Sequence, residues 1–354
     1  MKTYELLGKD LRLFLKGDTL ALISKTEMTT VSSAIYNGGF KKAKAVINVH
    51  VPKDYDDKIL HENPEHFVLE ALKEFNLDPQ QTVGMITAAD VKNFSMATAE
   101  KEDLMVSAIA TAGCSLAETA GENVETDLNY PGTINIIVVI QGNPTESCLM
   151  QTFITATEAK TASLKELDVR SKYSGDPATG TVTDSLVIAS TNNGSKIKFG
   201  GPTSKLGKLV GYCVRETVKN AIIKQGLSPN RSIFNRFAER NLPIKEFISE
   251  ISKASSLRVS EEEIMAKLAK TIEKEPFFAL ILMAAANMDE DAKKGLIPKE
   301  FGNLTNLNKQ FKEMLLKLTY KENLRCHVIS EEKLDFSKSP FLKQTLMSII
   351  EGLF

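Results

Sequence analysis

The chain has 354 residues, of which 42% are apolar and 25% charged, and its net charge is −1. That length suits two domains of a globular protein, and the charge balance gives no electrostatic reason to expect nucleic acid as a partner. No run of about 18 apolar residues exists, so we expect no membrane insertion. Scattered cysteines and histidines predict free thiols and no metal site, and the first residues resemble no export signal, so the expected location is cytoplasmic.

Short strands dominate the first part of the chain. Two apolar runs, 11–15 and 20–23, flank a Gly17-Asp18 turn and predict a hairpin. Asn37-Gly38-Gly39 predicts a turn with positive φ, or a close approach of backbone to a ligand; the turn is the commoner case. Further strands are predicted over 45–51, 83–89 and 104–112, and a helix begins near Pro64. Cys114 could act as a nucleophile, but packing is the favoured interpretation.

An unbroken apolar run over 134–140 predicts a strand that is buried on both faces, at the centre of a sheet. Asn143 as N-cap, followed by Pro144 and Glu146, then predicts a helix that runs to about Leu167. Within it Glu158 lies on one face with Thr155 and close to Thr161. From spacing alone, a solvated helix face explains that pattern better than a site does.

The chain then changes character. Strands are predicted over 184–190 and 196–199, followed by a helix that Thr203 caps and Gly226 ends. Seventeen of the twenty glycines precede residue 227, and strand-like runs nearly vanish after it. Helices are predicted there over 233–240, 244–253, 261–274, 277–288, 306–318 and 341–353. We therefore expect an α/β domain over 1–227, with a mixed central sheet and flanking helices, and a separate all-helical domain over 228–354.

Three long motifs carry a family resemblance: PGTINII at 131–137, FITATEAKTA at 153–162 and YSGDPATGTVTD at 173–184. Shorter segments fit the same pattern at 32–34, 37–39, 83–89 and 203–214. In this order, over roughly residues 20–225, they resemble the adenosylcobinamide amidohydrolase family. The helical tail is not part of the resemblance.

The resemblance implies a corrinoid-salvage enzyme. Such an enzyme would hydrolyse the amide that joins aminopropanol to the corrin ring of adenosylcobinamide and release adenosylcobyric acid. The corrinoid is then the substrate, and no cofactor is expected. A rival hypothesis is a corrinoid-binding or sensing protein without catalysis. A third makes the helical tail a docking region for a protein partner.

Amide hydrolysis needs an activated nucleophile, donors to the oxyanion and an acid for the leaving amine. In one hypothesis water attacks, Glu158 or Asp184 is the base, Lys160 orients or protonates, and backbone N–H groups of 180–181 or 132–133 hold the oxyanion. In the other, Thr133, Thr179 or Thr181 is a covalent nucleophile. The candidate catalytic residues are Glu158, Asp184, Lys160 and Thr181. The candidate substrate-binding residues are Asn37, Gly38, Gly39, Gly132, Thr133, Asn135, Thr161, Tyr173, Gly175, Thr179 and Gly180.

Overall fold

The computed structural model describes residues 1–6, 8–52, 62–123, 132–255, 259–298, 329 and 334–354. The predicted helix over 306–318, Pro131 of the first long motif and Cys326 lie outside these residues. Contacts between Cα atoms divide the chain into two compact units. The first contains residues 1–231 and 239–241, and the second contains residues 232–238 and 242–354.

A nine-stranded mixed sheet forms the frame of the first unit. Its strands are β1 Lys2–Leu6, β2 Gly8–Lys16, β3 Thr19–Ser32, β4 Gly39–His50, β5 Thr82–Thr87, β6 Ser95–Lys101, β7 Leu104–Gly113, β9 Thr133–Gln141 and β12 Ser185–Ser190. The order is β5-β4-β3-β12-β9-β7-β6, with β2 paired to the first half of β3 and β1 paired to β2. Only β4–β5 and β9–β12 are parallel within this sheet. Two short ladders lie apart: β8 Ala117–Glu118 with β11 Gly180–Thr181, and β10 Asn143–Pro144 with β13 Lys196–Ile197.

Three helices of the first unit pack on this sheet: α1 Glu65–Phe75, α2 Glu146–Glu166 and α3 Lys205–Lys224. The mixed sheet with flanking helices confirms the predicted fold class. Two predicted caps were wrong. Thr145, not Asn143, caps α2 by accepting from Cys148 N, because Asn143 and Pro144 pair as a strand. Ser204, not Thr203, caps α3 by accepting from Gly207 N.

The position of β9 in the fold explains its apolar sequence. Side chains alternate across a strand, so the even-numbered residues of 134–140 pack in the cluster that holds α2 and α3. Ile137 and Val139 pack in a second cluster with residues of β2, β3, β4 and β5, on the other face of the curled sheet. A fully buried Ile or Val contributes roughly 1.5–3 kcal/mol relative to an exposed one. Strand β9 therefore joins two cores, as the sequence predicts.

The second unit is helical in its described part, as predicted. The remaining helices of the chain are α4 Ile233–Glu239, α5 Ile244–Ala254, α6 Glu261–Lys274, α7 Pro276–Lys293 and α8 Pro340–Leu353. The Ser260 hydroxyl caps α6 by accepting from Glu263 N at 3.2 Å. Helix α8 is buried along residues 341–351 and packs most extensively on α7.

Two sequence-based expectations concern the whole chain. Among the described residues no helix is long and apolar enough to cross a membrane. Cys114, Cys148 and Cys213 are free thiols.

Asp289 should make the helical unit sensitive to pH. Its carboxylate accepts the N–H groups of Phe341 and Leu342, both at 2.9 Å, in the first turn of α8. Burial raises the pKa of Asp289 to about 6, although the two N–H donors act in the opposite direction. A raised folded-state pKa contributes stability below the unfolded value of about 4, and this contribution is lost as the pH rises through 6. A shift of about two units corresponds to at most ~3 kcal/mol.

We expect Asp289→Asn to unfold at higher urea than the wild type at pH 7.5, and the two to converge near pH 4.5. Urea unfolding followed by circular dichroism at 222 nm measures this. The matched control is Asp335→Asn, because Asp335 is exposed and its hydrogen bonds to Ser337 hold its pKa below the usual range. A pH-independent difference between Asp289→Asn and wild type would contradict the assignment.

Candidate active site

The segments that contain the three long motifs meet at one edge of the sheet. The parallel strands β9 and β12 begin there, with Asn135 opposite Ser185. Helix α2 crosses between these strands, so its carboxyl-terminal half returns to the edge where they begin. A hydrogen bond of 3.1 Å from the Thr161 hydroxyl to Thr179 O ties α2 to the loop before β12.

The Asp184 carboxylate is the centre of this edge, because it accepts four hydrogen bonds. Its Oδ1 accepts from Ile134 N at 2.9 Å and from the Thr181 hydroxyl. Its Oδ2 accepts from Thr181 N at 3.1 Å and from Lys160 Nζ at 2.5 Å. An ionised carboxylate offers about four lone-pair sites. All four are used here, so the carboxylate joins β9, β11 and α2 at one point.

The Lys160–Asp184 ion pair is mostly shielded from water. The two side chains retain 13% and 16% of their exposure. Gly180 packs directly on the pair: a Cβ at this position would lie 2.7 Å from Asp184 Oδ2 and 2.8 Å from Lys160 Nζ. A pair this shielded is held by a stronger Coulomb attraction than a surface pair. It still reaches the surface, where a substrate could meet it.

Threonine hydroxyls occur on the segments that meet at the ion pair. The Thr181 hydroxyl donates directly to Asp184, and the residue is buried. The Thr133 and Thr183 hydroxyls lie 2.8 Å apart, and Thr183 also bonds Gly132 O at 3.2 Å. Thr179 accepts from Ala120 N at 2.8 Å. Of these threonines, Thr181 is the one whose hydroxyl bonds the carboxylate.

Cys114 follows β7 at the same edge, since Gly113 pairs with Thr133. Burial and, to a smaller extent, the charge of Asp184 raise the pKa of its thiol to about 12, against the charge of Lys160, which lowers it. The thiol therefore lies close enough to both members of the ion pair for their charges to change its pKa. At neutral pH it is protonated, which does not suit a thiolate nucleophile.

Glu158 does not lie with these groups. Residues two apart on an α-helix point about 200° apart, so Glu158 and Lys160 project from different sides of α2. The Glu158 side chain is exposed. Within the described part of the chain no hydrogen bond or ion pair of Glu158 is found.

The predicted binding residues near β4 and inside the sheet have structural partners. Asn37 has a φ of +52°, and its amide donates at 2.8 Å to both Pro79 O and Thr82 O. Gly38 leaves no room for a side chain, because a Cβ would lie 2.3 Å from Ala34 O. Gly39 has a φ of +78°. These three residues thus form the turn into β4, the commoner of the two alternatives.

Asn135 points to the other face of the sheet, where it is 1% exposed. Its Nδ2 donates at 2.8 Å to Asn48 Oδ1 and at 2.8 Å to Ile86 O. Asn48 in turn donates to the Thr111 hydroxyl at 2.9 Å. This buried network links β9 to β4, β5 and β7.

Tyr173 and Gly175 lie earlier in the loop that leads to β11, and their partners come from residues 240–241. Tyr173 O accepts from Asn241 Nδ2 at 2.7 Å. Gly175 has a φ of +76°, and a Cβ there would lie 2.4 Å from Arg240 O. Gly132 is similarly crowded, since a Cβ would lie 2.9 Å from Gly113 O.

Sequence reasoning did not place three groups at this edge: the N–H of Ile134, the Thr183 hydroxyl and the thiol of Cys114, which it considered as a nucleophile but assigned to packing. Ile134 N bonds Asp184 and Thr183 bonds Thr133, in both cases across a long sequence separation, and the charge of Asp184 acts on the Cys114 thiol. A weak signal exists for Thr183, because it precedes a predicted strand next to Asp184. Among the described residues, no three His, Cys, Asp or Glu side chains are grouped to hold a metal ion.

Comparison with known proteins finds similarity over the part of the chain that contains this cluster. The family model described as adenosylcobinamide amidohydrolase matches residues 8–230 of the chain. A solved structure, the PH0078 protein from Pyrococcus horikoshii OT3, aligns with 61% of this chain and 83% of its own, at 13% identity and a TM-score of 0.34. A likeness of that degree supports no conclusion.

Relatives with curated descriptions are distant in sequence. An uncharacterized protein of Methanocaldococcus jannaschii, MJ1613, is 30% identical over 53% of this chain and 80% of its own length. The adenosylcobinamide amidohydrolase of Methanosarcina mazei is 27% identical over 58% of this chain and 95% of its own. The adenosylcobinamide amidohydrolase of Halobacterium salinarum is 24% identical over 53% and 77%.

Gly180→Ala tests whether the geometry of the ion pair depends on the absence of a side chain at position 180. The added Cβ would meet only the ends of two side chains, Asp184 Oδ2 and Lys160 Nζ. The backbone can therefore stay in place while the ion pair moves. We expect a thermal midpoint within a few degrees of wild type and a loss of catalytic rate on the order of 100-fold, since small misplacements of reacting groups are costly.

The matched control is Gly211→Ala on α3, where nothing lies within 4 Å of the added Cβ. It should keep full activity and gain up to ~1 kcal/mol from helix propensity. Full activity of Gly180→Ala would mean that the ion pair tolerates displacement.

Proposed function

The chain belongs to the adenosylcobinamide amidohydrolase family, and from this premise we propose that it hydrolyses the amide linking aminopropanol to the corrin ring of adenosylcobinamide. The products are adenosylcobyric acid and free aminopropanol. Family membership supports the corrinoid substrate and the amide-hydrolysing chemistry. A salvaged corrinoid would thereby become available for renewed cobamide synthesis.

One observation supports the location of the chemistry: the cluster of Thr181, Asp184 and Lys160. It combines a hydroxyl, a carboxylate that accepts its hydrogen bond, and an ammonium group, all shielded from bulk water. These are the parts that acyl transfer needs: a nucleophile, a base in contact with it and a cation for the developing oxyanion.

We favour covalent catalysis by Thr181. Its Oγ1 attacks the amide carbonyl carbon as its proton passes to Asp184, and the oxyanion is stabilised by Lys160 Nζ. An ammonium group has three N–H bonds, and Asp184 takes the one hydrogen bond that Lys160 makes among the described residues. The intermediate collapses by breaking the C–N bond, and the proton held by Asp184 goes to the departing amine. Water then hydrolyses the threonyl ester and restores the hydroxyl.

Direct attack by water is the alternative. Asp184 is less suited to activating water, because its four lone-pair sites are filled by protein donors. Glu158 is free to act as a base only if the substrate amide lies on its side of α2, away from Lys160. The Thr181 N–H already donates to Asp184. In the water mechanism the oxyanion donors are therefore Lys160, the Gly180 N–H or the Gly132–Thr133 backbone.

Threonine variants separate the two mechanisms. Thr181→Val should lower kcat by on the order of 10³-fold or more, because the nucleophile is removed. Thr181→Ser should retain measurable turnover. Thr183→Val is the matched control, since Thr183 contributes another hydroxyl from the same loop without bonding Asp184. The measurement is chromatographic detection of adenosylcobyric acid released from adenosylcobinamide, with mass spectrometry of quenched enzyme for an acyl adduct on Thr181.

Glu158→Gln tests the alternative mechanism, in which Glu158 activates water. Near-normal turnover in this variant is expected if Thr181 is the nucleophile. Loss of turnover in Glu158→Gln, with activity retained in Thr181→Val, would replace the covalent mechanism by water attack. Tight corrinoid binding by the wild-type chain without any product would instead favour the non-catalytic corrinoid-binding protein.

A further inference from the structure

The loop over 167–181 leads from the end of α2 to the proposed nucleophile. It passes from Leu167 through Gly175 to Gly180 and Thr181, three residues before Asp184. Within the loop Arg170 pairs with Pro177 in an antiparallel bridge, and its far end pairs in the short β8–β11 ladder. Because the two halves of the loop pair with each other, a displacement of its first half would be passed on to Thr181 and the ion pair.

Three residues beyond the loop in sequence, Arg231, Arg240 and Asn241, bind its first half, and Glu239 binds Arg231. We call Arg231, Glu239, Arg240 and Asn241 the anchor residues; all four belong to the first compact unit. The match to the family model ends at residue 230, so they lie just past it.

Arg231 holds the start of the loop. Its guanidinium donates to Leu167 O at 3.0 Å and to Asp168 O at 2.9 Å. The same guanidinium donates to both carboxylate oxygens of Glu239, at 2.8 and 2.9 Å. These contacts satisfy two carbonyls just past the end of α2, where helices leave carbonyl groups without helical partners.

Arg240 binds the side chain of Asp168, whose backbone carbonyl Arg231 binds. It donates at 2.9 and 3.0 Å to the two carboxylate oxygens of Asp168, a bidentate pair. Arg170 also donates to Asp168, at 2.8 Å. The side chains of Arg240 and Arg170 are only 3% and 7% exposed. A buried bidentate pair fixes both the position and the orientation of its partners.

Backbone contacts complete the attachment. Asn241 donates to Tyr173 O at 2.7 Å. Gly175 approaches the Arg240 backbone so closely that a Cβ would lie 2.4 Å from its carbonyl oxygen. The loop is thus held at residues 167, 168, 173 and 175, all on the amino-terminal side of Thr181.

We propose that the anchor residues are positioning residues for the amide-hydrolysing site, which extends the catalytic domain to Asn241. Through Asp168, Tyr173 and Gly175 they order the loop that carries Gly180 and Thr181, without touching the substrate. This inference rests on the proposed function for its effect on rate, while the ordering of the loop can be measured without any turnover.

The test uses the full-length chain with Arg240→Met, Arg240→Lys and Asn241→Asp. Asn241 has a φ of +54°, which Asp tolerates, so the last variant keeps the backbone and replaces the amide donor by a carboxylate oxygen, which cannot donate to Tyr173 O and repels it. Hydrogen exchange followed by mass spectrometry compares the loop over 168–181 with α3. Steady-state kinetics on adenosylcobinamide give kcat and KM. Lys224→Met is the control, because Lys224 donates to Phe94 O at 3.0 Å in the same unit but away from the loop.

We expect Arg240→Met to speed exchange over 168–181 at least tenfold, with α3 unchanged. Its kcat should fall on the order of 100-fold at little change in KM, because the reacting groups lose their alignment. Asn241→Asp should show a smaller effect in the same direction, and Arg240→Lys should fall between the two, since a single ammonium replaces a two-pronged contact. Lys224→Met should leave both loop exchange and kcat at wild-type values.

Unchanged loop exchange in Arg240→Met would overturn the proposal, as would faster loop exchange with unchanged kcat. If Arg240→Met fails to fold, Asn241→Asp decides by the same two readouts. A wild-type chain that does not hydrolyse adenosylcobinamide would overturn the proposed function and the positioning role with it. The exchange of residues 168–181 would then still show whether the anchor residues order the loop, so the two failures are distinguishable.

Discussion

The four hydrogen bonds to the Asp184 carboxylate are the interaction on which the site depends. They come from the backbone of β9, from the backbone and hydroxyl of Thr181, and from a lysine of α2. Removing one partner of a buried charge pair leaves the other charge uncompensated, which is commonly worse than having no pair at all. The carboxylate therefore fixes the relative positions of three segments that are far apart in the sequence.

The fold brings those segments together through its parallel pair. Because β9 and β12 are parallel, the connection between them must cross back over the sheet, and α2 makes that crossing. The end of α2 thus lies where both strands begin. The candidate site is at the amino ends of two strands, whereas open parallel α/β sheets usually bind ligands at the carboxyl ends. At carboxyl ends, the loops that follow the strands supply the polar groups. Here the returning helix α2 supplies one of them, the side chain of Lys160.

The sequence predicted the parts of the fold whose signal is local. The apolar run of β9, the Gly17-Asp18 hairpin and the amphipathic helices each have a periodicity or a turn that a short window contains. Edge strands β1 and β6 were missed, because their sequences KTYEL and SMATAEK are largely polar and exposed. The two caps were misplaced by one or two residues, since neighbouring positions offer equally good capping side chains.

The site shows the same division. The motifs predicted that the candidate site residues lie in three segments, but the sequence could not choose among the charged residues of α2. Glu158 and Lys160 are two residues apart, and only the position of Asp184, fixed by Ile134 fifty residues earlier, distinguishes them. Contacts of that separation have no local signature. For the same reason, the motifs did not indicate that Asp168 has partners among residues 231–241.

Those late partners also have a consequence for how the chain is made. Synthesis proceeds from the amino terminus, and domains tend to fold as their residues emerge. Asp184 and its four donors are all present once residue 184 has appeared, yet Arg231 and Arg240 follow some fifty residues later. The nascent chain therefore passes through an interval in which the sheet can close while the loop before Thr181 is still without its guanidinium partners. Catalytic competence would be acquired in two stages, with the frame first and the alignment of the nucleophile last.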